Sequence, residues 1–452
     1  MKLPASDLNR VLNEAKLKSF QIRVIAICLV IAILDGFDTQ SIAFVAPVLK
    51  STWMIAPEKL GLLFGSSLFG TMLGALGLGA LADHVGRKTV IVFSMLVFGI
   101  MSMLCATAVN VEQLMLYRFI TGIGLGGVIP NLIALTSEYS PTRVRTTAIT
   151  ITFCGFPLGA VIGGIASAQI IPSYGWEWVF IAGGLLPLMM MPIILLWLPE
   201  SVRFLAVKKS ATEKVERILK QIDPLVDFSK ITWDVLDDGN ASSDKKKHSG
   251  NHIKGLFMDG RATWTLLLWV VIAMSLLLIY FLINWIPTTL SDAGLSHKQA
   301  VMGIVILNIG AILGSLVVSR ISDRRSPFKP TIIGYIIGVF LIPVIGISAD
   351  NPPVVMTVIF FVGFFTIGAQ MTLAALSARY YPPHMMSTGV GWGMGIGRIG
   401  SALGPVLGGA LIAYGFDRVL LFGVAALPAL IVAVTLIVMS FNTPPLQKET
   451  DL

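Results

Sequence analysis

VIAICLVIAILDGFDTQSIAFVAPVL, running from Val24 to Leu49, is an apolar stretch with two acids near its middle. At about 1.5 Å per residue, a helix of this length spans a hydrocarbon core of about 30 Å. Asp35 and Asp38 are its only charges. A charged side chain at the centre of a spanning helix costs about 2.5 to 3.5 kcal/mol on insertion scales, so two of them point to function. Spaced i and i+3, they are expected on one helix face.

The rest of the chain has the same character. Hydrophobic residues make up 55% and charged residues only 13%, too little charge to cover a soluble surface. Mean hydropathy is +0.82. The 44 glycines and 23 prolines fit membrane helices, where small residues let backbones approach. Cys28, Cys105 and Cys154 all fall in expected spans, which leaves no disulfide framework. The polar leader with Lys2, Arg10, Lys16, Lys18 and Arg23 lacks the short apolar core and cleavage site of a removable signal, so the first span is expected to stay.

Apolar runs give twelve spans, near residues 24–49, 60–82, 89–109, 112–136, 145–171, 177–198, 264–290, 299–319, 330–349, 353–378, 385–413 and 417–441. The expected units are 1–199, a six-span bundle with its N-terminal tail, a linker at 200–262, and 263–452, a second six-span bundle with its C-terminal tail. Within the linker, 201–222 reads as an amphipathic surface helix. Of the 33 Lys and Arg, 27 fall in the tails and the even-numbered connections. This bias places both termini in the cytoplasm and assigns the net charge of +8 to membrane orientation rather than to nucleic acid.

The halves repeat. Gly155, Gly159, Gly163 and Gly164 of the fifth span match Gly400, Gly404, Gly408 and Gly409 of the eleventh at one constant offset. Leu132 to Leu135 with Tyr139 and Pro141 parallels Leu373 to Leu376 with Tyr380 and Pro382, and Asp83 corresponds to Asp323. Internal duplication of this kind is the usual architecture of secondary transporters.

Gly79-Ala-Leu-Ala-Asp83-His84-Val-Gly86-Arg87-Lys88 joins the second and third spans, and Leu114, Arg118, Gly122 and Gly124 mark the fourth. On these motifs the chain resembles the major facilitator superfamily over essentially its whole length, with His84 where that family usually has Arg or Lys. The resemblance implies an all-α fold of two pseudo-symmetric six-helix bundles. Asp83 and Arg87 sit where moving helices end and are expected to latch one conformation, with Glu138, Arg143, Asp323, Arg324 and Arg379 as related latch residues. Gly122, Gly124 and Gly127 also satisfy GxGxxG, but with no preceding strand they are read as helix-packing positions.

Arg118 and Arg398 are basic residues inside spans, and such residues normally face a cavity or a partner. Counted from the outer helix ends, Asp38 lies about 16 Å deep and Arg118 about 9 Å, while Arg398 is near the level of Asp35. Two acids and two bases from both halves thus converge on the middle zone. Together with Asn131 to Glu138 and with Tyr280-Phe281-Leu-Ile-Asn284-Trp285-Ile-Pro287-Thr288 in the seventh span, the Asp35-Gly-Phe-Asp38 motif is similar to the aromatic acid:proton symporters within the superfamily.

That resemblance implies import of a small aromatic carboxylate with a proton as coupling ion, in a bacterial inner membrane, by a chain working as a monomer. An aromatic carboxylate needs a cation for its head and a flat apolar slot for its ring, and arginine offers bidentate carboxylate geometry. Arg398 is the expected clamp, with Arg118, Asn284, Trp285 and Tyr280 as further substrate ligands. Phe37, Phe64, Phe153, Phe365 and Trp392 are additional aromatic candidates. Two neighbouring carboxylates in a low dielectric disfavour joint ionisation, so Asp35 or Asp38 is expected to carry the proton. Alternative readings are a proton-coupled sugar or organic-ion porter of the same fold and a non-transporting membrane sensor. No enzyme, metal site or other cofactor is expected, because His84, His248, His252, His297 and His384 all lie in connections and no nucleophile with its base appears.

Overall fold

The computed structural model describes residues 17–207, 212–222, 255–258, 261–324, 328–373, 376, 381 and 386–441. The first six spans are α1 (Ser19–Trp53), α2 (Pro57–Val85), α3 (Arg87–Cys105), α4 (Val111–Tyr139), α5 (Arg145–Tyr174) and α6 (Glu177–Trp197). Two short helices follow, α7 (Val202–Val207) and α8 (Thr212–Ile222). The last six spans are α9 (Ala262–Asp292), α10 (His297–Arg324), α11 (Phe328–Ser348), α12 (Pro352–Gln370), α13 (Met386–Ala413) and α14 (Arg418–Phe441). Among the described residues, twelve helices are therefore long and apolar enough to cross a membrane.

Local chemistry sets the boundaries. Asn110 opens α4 by accepting from the Gln113 N–H at 2.8 Å, and Asn351 with Pro352 opens α12. Between α2 and α3 the chain turns on Gly86 alone, at φ 103°. A Cβ there would adopt a strained backbone and press on the Glu200 carboxylate.

The sequence repeat becomes a packing repeat. Gly159 lets α5 close onto the Ile33 carbonyl of α1, and its counterpart Gly404 lets α13 close onto the Leu277 carbonyl of α9. On α2 and α4, Gly70 and Gly122 sit against the Phe119 and Ser67 carbonyls, while Gly310 and Gly314 of α10 sit against the Phe360 and Phe364 carbonyls of α12. At the last repeat position the glycines turn to the opposite half. Gly164 of α5 meets Val305 of α10, and Gly409 of α13 meets Pro57 and Gly61 of α2. The two seams between the halves are thus pseudo-twofold copies, each opened by a missing side chain.

Other contacts between halves join Gln40 to Asn308, Phe64 to Trp285, Gly65 to Val406 and Lys50 to Asp292. All of these lie in the half of each span farthest from the chain termini. There the buried apolar residues of both halves, such as Phe44, Leu60, Phe64, Trp285 and Ile304, form one continuous core. Toward the termini the first half closes on a separate core that includes Phe20, Ile31, Phe98 and Leu132. The molecule is sealed at the face away from its termini.

Two elements differ from the sequence expectation. The linker segment 201–222 is described as two helices, α7 and α8, and α8 does not lie free on a surface. Val215, Leu219 and Ile222 are buried in the core of the first half, and the Lys18 ammonium donates to the Ile222 carbonyl at 3.0 Å. The tenth span, expected over 353–378, is described as α12 as far as Gln370 and contains a π-helical turn at Gly363–Ile367, while residues 374, 375, 377 and 378 lie outside the described residues. Gly363 and Gly368 there pack directly on Leu307 and Gly314 of α10. A π turn shifts the helix face by inserting a residue, which lets both glycines meet the same neighbour.

Candidate functional site

The two acids of α1 occupy different environments. Asp38 is fully buried and saturated, accepting from the Ser102 hydroxyl at 2.6 Å through one oxygen and from Arg118 at 2.9 Å through the other. Arg118 also donates to the Asp38 carbonyl at 3.0 Å and to the Ser67 hydroxyl at 3.4 Å, and its guanidinium lies over the Phe180 ring. Its Nε has no partner. This ion pair is closed within the first half. Arg118 was expected among the substrate ligands, but it is 0% exposed and its charge is already met, so it is placed to hold α1, α2 and α4 together.

Asp35 is 3% exposed and accepts a hydrogen bond from Thr39 at 3.2 Å. No ion pair to it occurs among the described residues. Its cation lies across the molecule: Arg398 of α13 is within electrostatic reach of both Asp35 and the Tyr280 hydroxyl of α9, and Tyr280 is within reach of Asp35. Arg398 is half-buried and makes no salt bridge among the described residues. The expected four-charge centre is therefore divided into one closed pair, Asp38 with Arg118, and one open pair, Asp35 with Arg398, whose members come from opposite halves. An open pair of this kind can admit an anion between a cation and an acid that takes up a proton.

On α9, Tyr280, Asn284 and Thr288 follow at one-turn intervals and share a stripe. Asn284 is 4% exposed and donates to the Tyr280 carbonyl at 2.7 Å. Trp285 was expected to offer a plate to the ring of a substrate. Instead it is 1% exposed, its N–H donates to the Pro405 carbonyl at 2.9 Å, and it packs in a T-shaped contact with Phe64, ring centroids 5.5 Å apart. It closes the end of the site away from the termini. Among the other aromatic candidates, Phe37 lies against Gly163, Phe365 packs with Phe361 and Phe364, and Trp392 is exposed and stacks on Trp269.

Beyond the site, toward the termini, a polar knot joins α3, α4 and the start of the linker. Glu138 accepts from Arg87 at 3.0 Å, from the Ser201 hydroxyl at 2.7 Å and from the Arg203 backbone at 2.7 Å. Glu200 accepts from the backbone N–H groups of Lys88 and Ser201, and Tyr139 donates to the Glu200 carbonyl. Asp83, expected together with Arg87 among the latch residues, is exposed, and Arg143 is exposed as well. Arg87 reaches Glu138 because Gly86 turns α3 back along α4. Arg379 and the side chains of Asp323 and Arg324 lie outside the described residues. Sequence reasoning missed Thr39, Ser67, Ser102 and the Gln40–Asn308 contact, because a single hydroxyl or amide in an apolar helix carries no signal of its partner.

Residues 28–405 match the family model described as Major Facilitator Superfamily. The chain is 37% identical to the 4-hydroxybenzoate transporter PcaK of Pseudomonas putida, covering 96% of this chain and 95% of that protein. It is 35% identical to a gallate transporter of the same organism, covering 95% and 94%, and 31% identical to the benzoate transport protein of Acinetobacter baylyi, covering 96% and 92%. Among solved structures, the inward open xylose transporter XylE from E. coli superposes with a TM-score of 0.71 at 16% identity, over 92% of this chain and 95% of that one.

Proposed function

The chain belongs to the Major Facilitator Superfamily, and from that membership we propose that it imports an aromatic carboxylic acid with a proton by alternating access. It is a multi-pass membrane protein of a transporter family, not an enzyme. The observation that carries the reading is the open Asp35–Arg398 pair, one member from each half, beside a closed Asp38–Arg118 pair. A protonated Asp35 leaves Arg398 free to clamp a carboxylate through two parallel hydrogen bonds. Substrate and proton together neutralise the site, and the halves then rock about the paired glycine seams. The curated relatives named above carry aromatic acids, which supports the substrate class.

The excess of Lys and Arg in the tails and even-numbered connections supports cytoplasmic termini. On that orientation the sealed face is the outer one and the structure is inward-facing, in a bacterial inner membrane, with one chain as the working unit. The test is uptake into proteoliposomes driven by an imposed pH gradient, across a panel of aromatic acids with sugars as controls. Saturable uptake of an aromatic acid that collapses with the gradient is expected. Saturable sugar uptake without aromatic acid uptake overturns the assignment.

A further inference from the structure

We propose that Asn284, Thr288 and the Ile283 carbonyl form a polar end of the binding site that selects acids bearing a hydroxyl on the ring edge opposite the carboxylate. This rests on the reading of Arg398 as the carboxylate clamp. Three observations converge on one turn of α9. Thr288 is 1% exposed, and its hydroxyl is buried without a hydrogen-bond partner. Asn284 is 4% exposed and spends one of its two amide N–H groups on the Tyr280 carbonyl, which leaves the second N–H and the side-chain oxygen for another partner. Pro287 sits inside the helix and has no N–H to give to the Ile283 carbonyl, so that backbone oxygen lacks its helical donor.

Buried polar groups without partners are uncommon, and each one costs stability unless something satisfies it. Here two oxygens accept, one amide N–H donates and one hydroxyl does either, so the missing partner is a group that both donates and accepts, as a ring hydroxyl does. A second carboxylate, which only accepts, would leave the Asn284 and Ile283 oxygens unpaired. The spacing fits an aromatic acid held end-on. Tyr280 stands beside Arg398, and Asn284 follows it by one helical turn, about 5.4 Å along the axis. That distance is close to the span of a benzene ring with its first substituent atoms. Trp285 and Phe64 close the site just beyond, so the ring cannot slide past these groups.

A site built to bond a hydroxyl rejects the analogue lacking it, because its own polar groups stay unpaired. Half-saturation for 4-hydroxybenzoate and for benzoate is measured in proteoliposomes for the wild type, Thr288→Val, Thr288→Ser and Asn284→Leu. The wild type is expected to favour the hydroxylated acid by about tenfold or more, the effect of one well-formed hydrogen bond. Thr288→Val and Asn284→Leu are expected to compress that ratio toward one, while Thr288→Ser keeps it. Thermal shifts of each variant with both acids give the same ratio for protein that binds but does not transport. An unchanged ratio in Thr288→Val and Asn284→Leu overturns this assignment and leaves the transport reading intact. Failure of the wild type to bind or carry either acid overturns both.

Discussion

Asp38 accepts from Ser102 through one oxygen and from Arg118 through the other, so neutralising it orphans a buried arginine. Removing one member of a buried ion pair costs about 3–5 kcal/mol. Asp38→Asn is therefore expected to lower stability in detergent by that order, measured by denaturant or thermal unfolding, and Arg118→Gln to do the same. Asp35→Asn removes a carboxylate with no direct cationic partner and is expected to leave stability nearly unchanged. Its effect falls on coupling: accumulation driven by a pH gradient disappears while exchange of labelled for unlabelled substrate continues. Full accumulation by Asp35→Asn removes that residue from proton carriage. The sequence displayed both acids on a spanning helix, yet their division of labour was illegible. Residues i and i+3 stand about 60° apart around a helix, and only the fold decides which neighbour fills each sector. Arg87 gives the same lesson, since its partner Glu138 lies far along the chain and only the fold brings the two together.

Helix packing was far more legible, because a repeated glycine is a statement about a whole element. Gly159 and Gly404 were visible as counterparts before their neighbours were known, and each allows one span to touch the backbone of another. Any side chain at these positions forces the helices apart. Gly159→Leu and Gly404→Leu are expected to destabilise by at least about 1–3 kcal/mol, the usual range for overpacking. Gly77 of α2 has open space around it. Gly77→Ala should therefore be neutral or stabilising by about 0.5–1 kcal/mol, the helix-interior cost of glycine. Equal melting temperatures for the Gly159→Leu and Gly77→Ala proteins would refute the packing argument. The π turn of α12 was not legible, since hydropathy reports an apolar run and not the hydrogen-bond register inside it.

At the scale of the whole molecule, the sealed face depends on few polar contacts. Asn308 and Gln40 exchange amide hydrogen bonds at 3.1 and 3.4 Å across the seam, and Lys50 meets Asp292 at 2.6 Å above them. Truncating Gln40 leaves the buried Asn308 oxygen without its donor, while the Asn308 amide still donates to the Ile304 carbonyl at 2.9 Å, at a cost of about 1–3 kcal/mol to the closed arrangement. Gln40→Ala combined with Lys50→Ala is expected to shift the population toward opening at this face. Spin labels at Thr52 and Ser296, both exposed, should report a longer distance in the variant than in the parent. An unchanged distance distribution would show that the glycine seams alone hold the face shut. The division of charges reported for the site has an electrical meaning too. Asp38 and Arg118 belong to the same half and form a neutral pair, and on the proposed mechanism Asp35 carries one proton to set against one monoanionic substrate. The loaded molecule then crosses without net charge, so the membrane voltage, worth about 2.3 kcal/mol per charge at 100 mV, neither assists nor opposes the loaded step. Uptake in proteoliposomes should follow the pH gradient and ignore an imposed potassium diffusion potential, and a capacitive recording should show no current accompanying substrate flux.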